Sequence, residues 1–109
     1  MVWDMSFDTW HSDGTENDND ITPPAWGAVC EGVWQQTGPL TYKLHHVGWA
    51  WDPTGTTLIG FFTLDEVNTL DKDGNVYTGD FTYQVFDMNG NPIGSPTTGT
   101  IAAARIIVP

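Results

Sequence analysis

Apolar and polar side chains alternate along most of this chain with a period of two. Between residues 76 and 86, Tyr77, Phe81, Tyr83 and Val85 fall on one face and Thr78, Asp80, Thr82 and Gln84 on the other. That is the pattern of a strand with one buried side. Trp3, Met5 and Phe7 alternate in the same way with Asp4, Ser6 and Asp8, and Tyr42, Leu44 and His46 with Thr41, Lys43 and His45. Further strands are expected over residues 32–36, 57–70 and 98–108, which makes about six long strands, with a seventh if residues 15–19 pair. Between these runs stand Ser12-Asp13-Gly14, Pro53-Thr54-Gly55, Lys72-Asp73-Gly74-Asn75 and Asn89-Gly90-Asn91, whose Asp, Asn and Gly residues tolerate the backbone of tight hairpins. No long segment carries the apolar period of about 3.6 that marks an amphipathic helix. The one extended irregular stretch is expected over residues 17–29, with Asp18, Asp20, Pro23 and Pro24, and such a loop often borders a binding site. Strands joined by hairpins, with edges that need covering, point to an all-β fold: a small antiparallel β-barrel forming one domain over residues 1–109.

Composition narrows the function classes. At 109 residues with 39% hydrophobic side chains and six Trp, the chain can form one core and is too short for two ordinary domains. Fourteen acidic residues against Lys43, Lys72 and Arg105 give a formal charge of −11. Nucleic acid and anionic membrane surfaces are therefore not expected partners, and the acids are expected on a solvated exterior. A lone cysteine, Cys30, allows no internal disulfide and is expected to be a small buried side chain. Met1-Val2-Trp3-Asp4-Met5 has no basic start followed by an apolar run, so no signal peptide is expected, and no apolar stretch approaches the ~20 residues of a membrane helix.

Five segments in order resemble one known family. They are Trp10-His11-Ser12-Asp13-Gly14-Thr15-Glu16; Cys30-x-Gly32-Val33-Trp34 with Thr37-Gly38-Pro39; and Thr41-Tyr42-Lys43-Leu44-His45-His46-Val47-Gly48-Trp49-x-Trp51-Asp52. Leu70-x-x-Asp73-Gly74-Asn75-x-Tyr77-x-Gly79 and the run from Gly99-Thr100 to Arg105-Ile106 complete the set. Together they resemble a bacterial family of lipocalin-like (calycin-like) β-barrel proteins without an established activity. The resemblance implies a small-molecule-binding barrel, with relatives that include secreted domains. Members of that family begin with a further strand upstream of the Trp-His-Ser-Asp-Gly run, so the barrel is expected to be one strand short. An open strand edge, and a homo-oligomer formed through it, follow from that expectation.

The candidate chemistry centres on His46, which alternates with Tyr42 and Leu44 and is expected inside the barrel while His45 points out. An interior imidazole can anchor a ligand, move a proton or bind a metal. A pocket for an apolar or aromatic molecule is expected from Trp34, Tyr42, Trp49 and Phe62, with His46 and His11 as polar anchors. The alternative is a lyase or isomerase in which His46 is acid or base, with Glu66 or Glu16 as partner. Whether Glu66 is buried depends on which face of residues 57–70 is inside, and both rows contain a Phe. His11, Glu16 and His46 form a two-histidine, one-carboxylate set that could ligate a transition metal if they converge. Glu16, Asp18 and Asp20 are read as a solvated loop, and Asp71-x-Asp73-Gly74-Asn75 as a hairpin turn. No phosphate loop, dinucleotide fingerprint or nucleophile elbow is present, and no cofactor is expected.

Overall fold

The computed structural model describes residues 2–109 and contains one antiparallel sheet of seven strands, hydrogen-bonded in chain order. The strands are β1 (Ser6–Trp10), β2 (Thr15–Asp20), β3 (Val29–Gln36), β4 (Thr41–Trp51), β5 (Leu58–Leu70), β6 (Val76–Asp87) and β7 (Pro92–Ala104). The fold is all-β, a meander curled into a half-barrel, with a single 3₁₀ turn over Pro24–Trp26. The curl brings the inner faces of β1 and β6 together although the two strands are not neighbours. Trp10 and Tyr77 ring centroids stand 5.7 Å apart, and the Tyr77 hydroxyl donates to Asp8 Oδ2 at 3.4 Å.

Three hairpins share one device. In Asp52 to Gly55, Asp71 to Gly74 and Asp87 to Gly90, the glycine N–H donates to the carbonyl of the leading aspartate at 2.9–3.1 Å. Each glycine has φ between +73° and +82°, the conformation that closes a short hairpin loop without steric cost. The aspartate Oδ1 then accepts backbone N–H groups from the far side of the turn: Thr56 and Thr57 for Asp52, Asn75 and Val76 for Asp71, Asn89 and Asn91 for Asp87. These accepted bonds hold the Asp52 and Asp87 carboxyls below the usual range.

Three expectations are corrected here. Glu16, Asp18 and Asp20 do not lie in a solvated loop: the conditional seventh strand forms as β2, paired on both sides, and the irregular stretch expected over residues 17–29 narrows to residues 21–28 with the 3₁₀ turn inside it. Nor does the acidic charge lie only outside. Glu16 is 0% exposed, Asp18 4% and Glu66 5%, whereas Phe7 on the convex side is 71% exposed. The last strand also starts and ends earlier than the run 98–108 suggested.

The inner face has three tiers. At the end formed by the β1–β2, β3–β4 and β5–β6 turns, Trp10, Trp34 and Tyr42 pack ring on ring, with centroids 5.8–5.9 Å apart. Across the waist lie the buried side chains Glu16, Asp18, Cys30, Leu44, His46, Glu66 and Asn68. The opposite end is open.

Candidate functional site

Register brings the waist residues together. Glu16 on β2 stands opposite Gly32 on β3, and Gly32 opposite His46 on β4; two pairs nearer the open end, Asp18 stands opposite Cys30. Side chains two apart share a face of a strand, so the same pleat turns all four side chains inward. Gly32 makes the contact across β3 possible. A Cβ there would lie 2.5 Å from Glu16 Oε1 and 2.7 Å from His46 Cβ. Gly32→Ala is therefore expected to cost about 1–3 kcal/mol through overpacking and to force Glu16 and His46 apart. An unchanged urea midpoint would contradict that account.

His46 lies between carboxylates. Its Nδ1 is 3.4 Å from the Glu16 carboxylate and its Nε2 3.9 Å from Asp18 Oδ2. Burial acts to lower its pKa, while the hydrogen bond and charge of Glu16, with the charges of Asp18 and Glu66, raise it and prevail. Asp18 is pushed up to about 8, first by burial and then by Asp8, its partner across the β1–β2 pair. Burial lifts Glu66 to about 6, and lifts Asp4 to about 7 together with the hydrogen bond that the protonated Asp4 carboxyl donates to Asp20. The Cys30 thiol is 2% exposed and pushed up by burial and by the carboxylates around it. Glu16 Oε1 and Asp18 Oδ1 are buried without a hydrogen-bond partner.

Toward the open end the waist becomes the floor of a cavity of about 420 Å³. His46 and Cys30 reach it from below, and Phe62 and Tyr83, with ring centroids 5.1 Å apart, form a wall. Trp26, Trp49 and Trp51 stand at the mouth with Asp4 and Asp20. Trp26 is fixed by its indole N–H, which donates to the Pro53 carbonyl at 2.7 Å.

The predicted site is thus partly assembled. His46, Phe62 and Trp49 border the cavity, Trp49 at its rim with 56% exposure. The row Phe62, Leu64, Glu66 and Asn68 faces inward, which places Glu66 in the interior, where its Oε1 accepts from Asn68 Nδ2 at 2.8 Å. Trp34 and Tyr42 do not border the cavity. They belong to the aromatic tier at the far end, and the Trp34 indole N–H is committed to the His11 carbonyl at 2.8 Å. His11 does not converge with Glu16 and His46. Its ring is exposed and donates from Nε2 to Asn17 Oδ1 at 2.8 Å, beside a shallow depression that also includes Glu31. His45 is outside as expected, paired with Asp65 at 2.6 Å. Sequence reasoning left Asp4, Asp18, Asp20, Cys30 and Tyr83 out of the site; for Asp18 and Cys30 a period of two from Glu16 and from Gly32 was the available signal.

No family model, no curated protein and no solved structure matches the chain.

Proposed function

We infer that the chain binds a small molecule with an apolar, preferably aromatic, body and a cationic or hydrogen-bond-donating end. The carrying observation is the cavity of about 420 Å³ with aromatic walls and carboxylates at its lip. Its volume falls within the ~300–1,000 Å³ of ordinary small-molecule sites, which combine apolar linings with a few polar groups. Phe62 and Tyr83 supply flat surface, and Asp4 and Asp20 supply acceptors. None of the chain's three Lys and Arg residues borders the cavity. A carboxylate ligand would meet only like charge at that lip.

The test uses two probes of similar shape, 1-naphthylmethylamine and 1-naphthoate, titrated into chelator-treated protein while tryptophan fluorescence is followed. The amine is expected to bind on the order of tenfold or more tighter than the acid, from a charge contact at a partly wet site. Asp20→Asn is expected to remove most of that preference. Equal affinity for the two probes would refute the ligand class, and no response to either would refute the binding role.

A second reading rests on the sheet edges. Among the described residues β1 and β7 have no partner on their outer sides, and residues 97–104 of β7 carry no charge. The stretch 97–104 lies beyond the irregularity that β7 carries opposite Tyr83 to Val85, and an edge stretch without charge or bulge is prone to pair with another chain. Self-association through β7 is expected to appear as a rise in apparent mass with concentration in light scattering and to disappear in Thr98→Lys. A constant monomer mass would dispose of it.

A further inference from the structure

The waist contains more carboxyl groups than its single imidazole can pair with. Asp18 is 4% exposed and Glu16 0%, and each turns an oxygen without a hydrogen-bond partner into the interior. Buried carboxylates are expensive unless paired, and an ionised one in low dielectric is neutralised by a proton or by a cation. No Lys or Arg borders the neighbouring cavity, and Asp8, directly across from Asp18, is itself an acid. Asp18 can be neutralised by a proton shared with Asp8, but the geometry also offers another solution. One ligating atom each from Asp18, Cys30 and His46 lies within 4.8 Å of the other two.

We propose that Asp18, Cys30 and His46 form a binding site for a divalent transition-metal ion of the zinc or cobalt type, at the floor of the cavity. The donor set selects the ion. Imidazole nitrogen and thiolate sulfur favour zinc and its neighbours, whereas calcium and magnesium require oxygen donors throughout. Donors at about 2.0–2.3 Å from a common ion lie closer together than 4.8 Å, so the three side chains have to draw in by rotamer adjustment; three strands already hold them on one face.

Glu16 has the place of a positioning residue. Its carboxylate lies 3.4 Å from His46 Nδ1, while Nε2 is turned toward Asp18. Metal-binding histidines generally donate their other ring N–H to a carboxylate or carbonyl, which selects the tautomer whose free nitrogen faces the ion. Gly32 keeps that carboxylate against the ring. Three protein donors leave a tetrahedral ion with one position unfilled, and His46 and Cys30 both border the cavity. That position therefore opens toward the cavity, as in zinc sites that exchange water or ligand. The metal site does not depend on the ligand class inferred above, since it is tested without any organic probe.

The experiment is a titration of chelator-stripped protein with Co²⁺, followed by back-titration with Zn²⁺. One equivalent of Co²⁺ is expected to produce a near-ultraviolet thiolate-to-cobalt band with visible bands of tetrahedral intensity, and one equivalent of Zn²⁺ to abolish them. Cys30→Ser is expected to remove the thiolate band. Asp18→Asn is expected to weaken binding by at least the ~10–100-fold that loss of a supporting group causes, and Glu16→Gln by a factor within that range. Absence of the thiolate band in the wild-type protein overturns the proposal without reference to any variant's folding. Binding that Cys30→Ser and Asp18→Asn leave unchanged overturns it as well, because the ion is then held by surface carboxylates.

Discussion

Gly60→Ala is expected to destabilise the protein by about 3 kcal/mol, at the upper end of the ~1–3 kcal/mol range for overpacked sites. Gly60 pairs with Asp87 in the β5–β6 ladder, and a Cβ there would lie 1.9 Å from the Phe86 carbonyl oxygen and 2.9 Å from Asp87 Cα. A side-chain neighbour can rotate away, but these obstacles are backbone. Relief requires β5 and β6 to separate or the strand to bulge, and either breaks ladder hydrogen bonds at the edge of the cavity. Small domains have total stabilities of about 5–15 kcal/mol, so the loss is a large fraction, on the order of 10–20 °C in Tm. Gly90→Ala is the control. Its φ of +82° makes alanine strained, yet nothing lies within 4 Å of the added carbon, and about 1–2 kcal/mol is expected from backbone strain alone. Urea midpoints for the two variants measure the difference. A Gly60→Ala loss no larger than that of Gly90→Ala would mean that the ladder yields more readily than this geometry allows.

The parts of the fold that sequence reasoning reached are those where local chemistry and burial agree. β6 reads correctly because Tyr77, Phe81, Tyr83 and Val85 are both apolar and inward. The hairpins read correctly because Asp and Gly in the turns bond to their own loops. β2 is legible only as a conditional seventh strand because Thr-Glu-Asn-Asp-Asn-Asp has little intrinsic strand preference; its pairing is imposed by β1 and β3, which are distant information in sequence. The inner row of β5 was undecidable because Phe61 and Phe62 are equally apolar. Phe61 stacks on Phe86 on the convex side at 5.2 Å, while Phe62 packs on Tyr83 inside.

The same distinction explains the site. His46 was legible because Tyr42 and Leu44 mark its face of β4. His11 was misplaced because nearness to Glu16 in sequence does not carry it onto the same face: Glu16 is buried inside, and Asn17, the bonding partner of His11, points out. Asp18 and Cys30 were assigned ordinary roles because neither is unusual alone. Their significance lies in the Asp18 to Cys30 pairing across β2 and β3, and only strand register supplies that.

Replacing Glu66 with Gln is expected to stabilise the protein at pH 8 by about 2 kcal/mol and to have almost no effect at pH 4. Burial raises the Glu66 carboxyl from 4.5 to about 6. Asp8 on β1 and Glu16 on β2 add to the rise, while the Asn68 hydrogen bond and His46 on β4 oppose it. The folded protein therefore holds this proton over a pH range where the unfolded chain has released it. Stability falls with rising pH wherever the native state binds more protons, so the loss begins near the unfolded pKa and is complete once pH exceeds the folded one. A rise of about 1.5 units at ~1.36 kcal/mol each gives the ~2 kcal/mol. Gln has nearly the shape of Glu, its carbonyl can accept the Asn68 bond, and it has no proton to lose. Paired urea titrations of wild-type and Glu66→Gln protein, both with chelator present, should diverge between pH 4.5 and pH 7. Parallel curves across that interval would mean that Glu66 is ionised in the folded protein at the same pH as in the unfolded chain, and that the waist is wetter than its 5% exposure implies.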